Sequence, residues 1–278
     1  MKKFGLIGHP LGHSLSPQIH KRLFELSGLS EESEYTLNDI APEELSGKYA
    51  FLDEFEGINV TIPHKIAIID YCSGLSEGAK RYRSVNCVRG GDKMGFNTDA
   101  IGFTKSIEML GASLSSRVTV IGCGGVGRMI CIEAACQGAE LTIAALEKDL
   151  PLAEKVVGEI KAQNAGAAVK IEVIKGGALD SSDGGDLLIN ATPVGMFPKV
   201  DAMPCTEAVV QKFGSVFDVI YNPKETMLLN TARRFGKKSM SGTAMLVLQA
   251  VAAHEIWYGA KFEKSDIDKL ITDTENLI

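Results

Sequence analysis

The chain has 278 residues, of which 45% are hydrophobic and 23% are charged, so it is long enough for one large domain or two of ordinary size. A net charge of -6 argues against nucleic acid or an anionic membrane surface as the main partner, because both require a basic face. The six cysteines form no C-x-x-C pair and do not cluster with the five histidines, which argues against a zinc site or a disulfide framework.

The N-terminal part of the chain alternates between strand and helix patterns. Ser16 followed by Pro17 is a typical helix start, and Gly28 ends that helix. A glycine-rich turn at 90–92 indicates a hairpin. We predict strands at 4–7, 35–37, 57–62, 85–89 and 93–96, and helices at 16–26, 42–45, 64–71, 76–82 and 99–110.

A second alternating series begins after Arg117. We predict strands at 118–121, 141–145, 169–174, 186–190 and 216–220, with helices after the first strand as far as Gln137 and at 151–162 and 225–235. Strands joined by helices imply a parallel sheet covered on both faces. The last two helices, 243–258 and 265–277, are followed by no strand, and we expect them to pack against the first domain.

These patterns predict an α/β protein of two domains. Residues 1–102 and 241–278 are expected to form a discontinuous α/β domain, and residues 103–240 a Rossmann-type, doubly wound parallel sheet. The run Phe4–Ile7 is too short for the core of a signal peptide. The run 245–253 falls short of the roughly 20 residues that a spanning helix needs. We therefore expect a cytoplasmic protein with no membrane partner, and the net charge argues against a nucleic acid partner. Monomer and homodimer both stay open.

The segment 117–127 reads R-V-T-V-I-G-C-G-G-V-G and joins a strand to a helix. Gly122, Gly124 and Gly127 have the G-x-G-x-x-G spacing of a dinucleotide fingerprint. Glycines at these positions allow a sharp turn and let the backbone approach a pyrophosphate at the helix N-terminus. We predict a dinucleotide site here, the alternative being a glycine-rich turn that binds nothing.

Two hydroxyls, Ser14 and Ser16, lie at the start of the first helix. Together with the helix N-terminus they can hold a substrate carboxylate, although an ordinary helix cap has the same residues. Further along, Asn59, Thr61 and Pro63 are predicted to share one strand face. Lys65 follows at the carboxyl end of that strand, where open α/β sheets bind ligands.

Lys65 and Asp99 are candidates for proton transfer. When a hydride leaves an alcohol carbon, the hydroxyl proton needs an acceptor, and a paired lysine and aspartate can supply one. For each residue alone, a surface charge or a helix cap is the alternative. His9 and His64 belong to no metal-binding pattern and are interpreted as structural or pocket-lining, and no G-x-S-x-G or Walker loop supports a hydrolase or kinase.

Eight motifs in order along nearly the whole chain resemble the shikimate dehydrogenase family, which includes shikimate/quinate 5-dehydrogenases. They are S-L-S-P at 14–17, N-V-T-I-P-H-K at 59–65, V-N at 85–86, N-T-D at 97–99, G-C-G-G-V-G at 122–127, N-A-T-P-V-G-M at 190–196, D-V-I-Y-N-P at 218–223 and M-L-V-L-Q at 245–249.

The resemblance implies an N-terminal substrate domain completed by the C-terminal helices, a Rossmann domain between, and a cleft where the two meet. The implied reaction is the reversible, NAD(P)-dependent reduction of 3-dehydroshikimate to shikimate, without a metal. This oxidoreductase step belongs to chorismate and aromatic amino acid biosynthesis.

The same resemblance assigns roles to residues. Lys65 is the implied acid/base group, Asp99 its partner, and Ser14 and Ser16 hold the substrate carboxylate. The ring hydroxyls are assigned to Asn59, Thr61, Asn86, Tyr221 and Gln249. The pyrophosphate is assigned to Gly122, Cys123, Gly124, Gly125, Val126 and Gly127, with Thr192, Val219, Gly242 and Glu77 also on the cofactor side.

Several positions depart from the family pattern. Arg83-Ser84 stands where Gly-Ala is usual, Cys87 where Thr is usual, and Ala100 and Ala244 where Gly is usual. These changes keep two alternatives open. One is quinate or a related hydroxylated ring acid as substrate, and the other is a ligand-binding relative with weak catalysis.

The cofactor preference is predicted from the end of the second Rossmann strand. NADP-preferring members of the family usually carry Asn-Arg-Thr there, whereas this chain has Leu146-Glu147-Lys148. Glu147 lies 20 residues beyond Gly127, where an acidic residue hydrogen-bonds a ribose hydroxyl and repels a phosphate. The sequence therefore predicts NAD in preference to NADP.

Overall fold

The computed structural model describes residues 1–12 and 14–278, with the backbone alone described at 49–51. The chain divides into two compact units, residues 1–102 with 246–276 and residues 103–245 with 277–278. Each unit contains a six-stranded sheet with helices, so the predicted α/β class is confirmed.

The first unit contains a mixed sheet in the order β2-β1-β3-β5-β6-β4. Strand β1 is parallel to both β2 and β3, whereas β5 is antiparallel to β3 and β6. Its strands are β1 (Lys2–Gly8), β2 (Ser33–Asp39), β3 (Gly57–Val60), β4 (Gly74–Leu75), β5 (Cys87–Arg89) and β6 (Met94–Phe96). Its helices are α1 (Ser16–Leu26), α2 (Glu77–Tyr82), the start of α3 (Thr98–Leu110), most of α8 (Thr243–Tyr258) and α9 (Lys264–Glu275).

The strand register places Tyr35, Asn59 and Cys87 on one face of this sheet. Tyr35 lies opposite Phe4, and Asn59 lies opposite Cys87. Phe24 of α1 and Trp257 of α8 pack on that face with Phe4 and Cys87. The indole N–H of Trp257 donates to the Val88 carbonyl at 3.1 Å. Helix α8, from the C-terminal part of the chain, therefore completes the core of the first unit.

The second unit contains a fully parallel sheet in the order β12-β11-β10-β7-β8-β9. In chain order this is the 3-2-1-4-5-6 arrangement of the doubly wound nucleotide-binding fold. Its strands are β7 (Arg117–Ile121), β8 (Glu140–Leu146), β9 (Val169–Ile174), β10 (Gly185–Asn190), β11 (Phe213–Asp218) and β12 (Lys238–Ser241). Its helices are the rest of α3, α4 (Gly125–Cys136), α5 (Leu150–Gln163), α6 (Glu207–Gln211) and α7 (Met227–Arg234).

Some predicted boundaries are wrong for identifiable reasons. Strand β3 ends at Val60, so Thr61 and Pro63 lie beyond it rather than on its face. The predicted helix at 64–71 is a short 3₁₀ turn, Ala67–Tyr71, in a segment rich in β-branched residues that disfavour α-helix. The edge strand β12 was missed because K-S-M-S has no apolar alternation.

Among the described residues, no helix is both long and apolar enough to cross a membrane.

Candidate active site

A lysine and a carboxylate form a close pair in the first unit. Lys65 Nζ lies 2.6 Å from Asp99 Oδ2, with the two side chains 24% and 17% exposed. The carbonyl of Lys65 accepts a hydrogen bond from the Val85 amide at 2.8 Å, which fixes the turn after β3. An ammonium has three donors, so Nζ can hold Asp99 and still reach a substrate oxygen.

Asp99 lies in the first turn of α3 but does not cap it. The helix begins at Thr98, and the Asn97 side chain accepts the Ala100 amide at 3.1 Å. Asn97 is therefore the cap, and the helix-cap alternative considered for Asp99 is wrong. The carboxylate of Asp99 remains available to Lys65.

Asn86 and Gln249 are connected by Thr98, to which the sequence motifs assign no role. The Thr98 amide donates to Asn86 Oδ1 at 2.6 Å, and Asn86 Nδ2 donates to Thr98 Oγ1 at 3.0 Å. Thr98 Oγ1 also lies 3.5 Å from Gln249 Oε1. Its only signal in the sequence is its position inside the N-T-D motif.

The other predicted substrate residues of this unit lie at neighbouring element ends. Ser14 Oγ accepts the Ser16 amide at 3.2 Å at the start of α1. Asn59 is buried at the end of β3, and its Nδ2 lies 3.4 Å from the Asn86 carbonyl. Thr61 follows β3 and is half-buried. Tyr35, which donates to Asn59 Oδ1 at 2.8 Å, was missed because nothing in its local sequence distinguishes it from an ordinary strand residue.

The glycine loop in the second unit has the geometry of a phosphate cradle. Gly122 has a φ of +91°, and a Cβ there would lie 2.6 Å from Thr192 Cγ2. A Cβ on Gly127 would lie 2.3 Å from the Gly122 carbonyl oxygen. By contrast, a Cβ on Gly124 or Gly125 would meet no atom within 4 Å. The first and last glycines therefore permit the turn and its close packing, while the middle pair leaves open space at the N-terminus of α4 for an anion.

The remaining residues of this loop are not chemically active groups. Cys123 is buried, and burial raises the pKa of its thiol, so it stays protonated. Val126 is half-buried in the first turn of α4.

A buried polar network lies at the carboxyl ends of β10 and β11. Asn190 Oδ1 accepts from the Thr192 amide at 3.0 Å and from the Thr192 hydroxyl at 2.7 Å. Asn190 Nδ2 donates to Asp218 Oδ1 at 3.0 Å. The network holds the Thr192 turn beside Gly122, at the point where the strand order reverses and doubly wound sheets bind ligands. Nearby, a Cβ on Gly242 would lie 2.0 Å from the Val219 carbonyl oxygen, so glycine is required there.

Two predicted residues belong to a different unit from the rest of their set. Tyr221 is exposed and lies in the second unit, whereas the other residues assigned to the substrate lie in the first. Glu77 lies in the first unit, whereas the other residues assigned to the cofactor lie in the second. Glu77 is exposed on α2 and pairs with Lys80 at 2.9 Å.

The departures from the family pattern fall in different environments. Arg83 is exposed at the end of α2 with a φ of 47°, a conformation that favours the usual glycine. Cys87 is buried directly opposite Asn59 in the β3–β5 pair, and burial raises the pKa of its thiol.

Across the described residues, no three His, Cys, Asp or Glu side chains are grouped so as to hold a metal ion.

Comparison with known proteins gives consistent matches over the chain. The family profile described as the shikimate dehydrogenase substrate binding domain matches residues 6–88. The chain is 40% identical to a protein named shikimate dehydrogenase (NADP(+)) from Caldanaerobacter subterraneus, over 95% of this chain and 94% of the relative. It is 36% identical to a protein of the same name from Methanococcus maripaludis, over 94% and 92% of the two chains.

A solved structure is also similar. The shikimate 5-dehydrogenase of Thermus thermophilus, in complex with NADP(H) and shikimate, has a TM-score of 0.83 and 29% identity over 99% of this chain and 100% of that one.

The NAD preference predicted from Glu147 is wrong, because the curated relatives are named as NADP(+) enzymes. Glu147 is exposed in the 3₁₀ turn Glu147–Asp149 that follows β8, next to the exposed Lys148. A carboxylate in solvent is screened and can turn away from a ribose, while the neighbouring ammonium favours a phosphate. Its spacing from the glycine loop therefore does not decide the cofactor.

The identity of 40% over 95% of the sequence exceeds what a shared fold alone would produce. The sequence motifs around Lys65 and Asp99 and in the glycine loop at 122–127 point to the same family. The chain therefore belongs to the shikimate dehydrogenase family.

Proposed function

We propose that this protein catalyses the reversible, NADP-dependent reduction of 3-dehydroshikimate to shikimate, a step of chorismate and aromatic amino acid biosynthesis. The observation that carries the proposal is the 2.6 Å pair of Lys65 and Asp99 in a chain of this family. The Lys65 side chain is partly exposed and its Nζ has donors left for a ligand, while the Asp99 carboxylate holds that Nζ in position.

The reaction converts a ring carbonyl to a secondary alcohol. When bound, NADPH supplies a hydride, which carries both electrons to the carbonyl carbon. Lys65 donates the proton from Nζ to the carbonyl oxygen as that oxygen gains charge. Asp99 balances the positive charge of Lys65 and orients its N–H bonds. In the reverse direction the neutral amine of Lys65 accepts the proton of the substrate hydroxyl.

In this proposal the first unit binds the substrate. Ser14 and Ser16 hold the carboxylate near the N-terminus of α1, where backbone N–H groups favour an anion. The ring hydroxyls are held by Asn59, Thr61, Asn86, Tyr221 and Gln249. The match of residues 6–88 to a substrate binding domain supports this assignment for the first unit.

The second unit binds NADP. The open space at Gly124 and Gly125 and the N-terminus of the 12-residue helix α4 support a pyrophosphate site there. Thr192, Val219 and Gly242 are assigned to the same cofactor, and Glu77 is assigned to it from the first unit. We further propose that the enzyme acts in the cytoplasm as a monomer or homodimer, which light scattering after size exclusion will distinguish.

Replacing Lys65 by alanine tests the catalytic assignment. We expect kcat for shikimate oxidation to fall about 100-fold to 10,000-fold, the usual contribution of a general acid or base, with KM changed by a small factor. Lys3→Ala is the matched control, since Lys3 also pairs with a carboxylate, Glu54, at 2.8 Å but on the surface. Turnover retained in Lys65→Ala would refute the role of Lys65.

Substrate choice is tested by a matrix of shikimate and quinate against NADP and NAD, followed by absorbance of the reduced nicotinamide. We expect the highest kcat/KM for shikimate with NADP. Quinate is included as the alternative substrate because Cys87, opposite Asn59, stands where the family usually has Thr. Shikimate binding by calorimetry without formation of reduced nicotinamide would instead support a ligand-binding relative.

A further inference from the structure

The Tyr35 hydroxyl contacts one of the residues assigned to the substrate. It donates to Asn59 Oδ1 at 2.8 Å. Tyr35 belongs to β2 and Asn59 to β3, the two strands that flank β1. The hydroxyl therefore connects two strands at the position where the ring of the substrate is expected.

The Tyr35 ring is held in place by stacking. The His20 ring lies parallel to it, with the centroids 4.0 Å apart and the planes at 10°. His20 Nδ1 lies 2.8 Å from His254 Nε2, and His254 Nδ1 contacts the Tyr258 hydroxyl. Burial lowers the pKa of both His20 and His254, so both rings are neutral at physiological pH. A tyrosine packed this way has little freedom to move its hydroxyl away from Asn59.

The direction of the hydrogen bond determines what Asn59 offers to a ligand. Burial raises the pKa of Tyr35 well above its ordinary value, so the hydroxyl keeps its proton and acts as a donor. A carboxamide has one acceptor end and one donor end. With Oδ1 accepting from Tyr35, the Nδ2 end lies toward the Asn86 carbonyl at 3.4 Å and keeps a second N–H for a ligand oxygen.

We infer that Tyr35 is a positioning residue for substrate binding, which fixes the Asn59 carboxamide in the orientation that donates an N–H to a hydroxyl oxygen of the substrate ring. The inference rests on the proposed function, and it adds a residue that none of the motifs contains. Tyr35 acts through Asn59 and takes no part in proton or hydride transfer.

The test is Tyr35→Phe, which removes the hydroxyl and keeps the stacked ring. We expect KM for shikimate to rise about tenfold, since a buried hydrogen-bonding group loses its partner. We expect kcat and KM for NADP to change by less than about twofold, because Asn59 binds the substrate and the transition state equally. A loss caused by general unfolding would instead lower kcat and the melting temperature together.

Tyr258→Phe is the matched control. It removes a hydroxyl from the same aromatic cluster, and that hydroxyl contacts His254 and Ser27 rather than Asn59. The double-mutant cycle with Asn59→Ala then tests the route of the effect, since residues acting through one another are not additive. We expect Tyr35→Phe to raise KM less than about threefold when Asn59 is already alanine.

Two results would overturn the inference. One is a KM for shikimate within about twofold of wild type in Tyr35→Phe, and the other is the same fold-change with and without Asn59. Calorimetry with shikimate alone separates this outcome from failure of the proposed function. A wild type that binds shikimate without turnover would refute the activity, while the ratio of Kd values between wild type and Tyr35→Phe would still decide the role of Tyr35.

Discussion

Asp218 carries a buried carboxyl whose ionisation is predicted to destabilise the fold. It lies at the end of β11 and accepts hydrogen bonds from Asn190 Nδ2 at 3.0 Å, the Ile220 amide at 3.1 Å and Thr226 Oγ1 at 2.7 Å. Burial nevertheless raises its pKa from 3.8 to about 6, because the three donors offset only part of the cost of removing the charge from water.

The sign of the pH dependence follows from this raised pKa. Below pH 3.8 the carboxyl is protonated in both the folded and the unfolded chain. As the pH rises toward 6, the unfolded chain loses its proton while the folded chain keeps it, so the free energy of unfolding falls. Above the pKa of Asp218 in the folded chain, this decrease in the free energy of unfolding is complete. A pKa of about 6 in place of 3.8 corresponds to about 3 kcal/mol.

The assay compares urea unfolding of the wild type with Asp218→Asn at several pH values from about 4 to 7. Asparagine keeps the shape and an acceptor for Asn190 and Ile220, and its amide can donate to the Thr226 hydroxyl. We expect the unfolding free energy of the wild type minus that of the variant to fall by about 2 kcal/mol over this range, because the carboxyl of the unfolded chain is already more than half ionised at pH 4.

Because other titrating groups are common to both proteins, their contributions cancel in this difference. Asp201→Asn, at an exposed aspartate, measures the effect of the amide substitution by itself. A difference for Asp218→Asn that stays constant or increases with pH would refute the reasoning.

The glycines give two further predictions. Gly124→Ala should leave the melting temperature within about 2 °C but raise KM for NADP about tenfold, because the added Cβ meets no protein atom and occupies the space assigned to the pyrophosphate. An unchanged KM would contradict the assignment of that loop. Gly57→Ala should destabilise the first unit by about 1–3 kcal/mol in urea unfolding, because its Cβ would lie 2.4 Å from the Trp257 ring. Gly91→Ala, whose Cβ meets nothing within 4 Å, is the control, and equal losses in the two variants would argue against the packing explanation.

The local parts of the fold were predictable because they depend on nearby residues. The strand, glycine turn and helix at 117–136 follow from a β-branched run, the glycine spacing and the apolar segment after it. Boundaries were less predictable where backbone pairing, rather than composition, ends an element. The apolar run at 216–220 predicted a strand to Ile220, whereas β11 ends at Asp218, whose carboxylate accepts the Ile220 amide.

The candidate site was only partly predictable. Lys65 and Asp99 were each selected as residues capable of proton transfer, but both had a structural alternative in the sequence alone. The alternatives lose their support because Asn97 caps α3 and the two side chains meet at 2.6 Å. Glu147 is the opposite case. Its position in the sequence fits an acidic residue that binds a ribose hydroxyl, but its solvent exposure leaves the cofactor choice undetermined.

The sequence by itself determined the fold class, the family and the residues that carry the proposed chemistry, because these depend on periodicity and on motifs within a few consecutive residues. The tertiary structure alone decided which of these residues meet and which further residues hold them. Tyr35 and Asn59 are 24 positions apart, and Thr98 and Gln249 are 151 apart. Such contacts depend on strand order, register and the return of α8 to the first unit, none of which is encoded in the residues next to either partner.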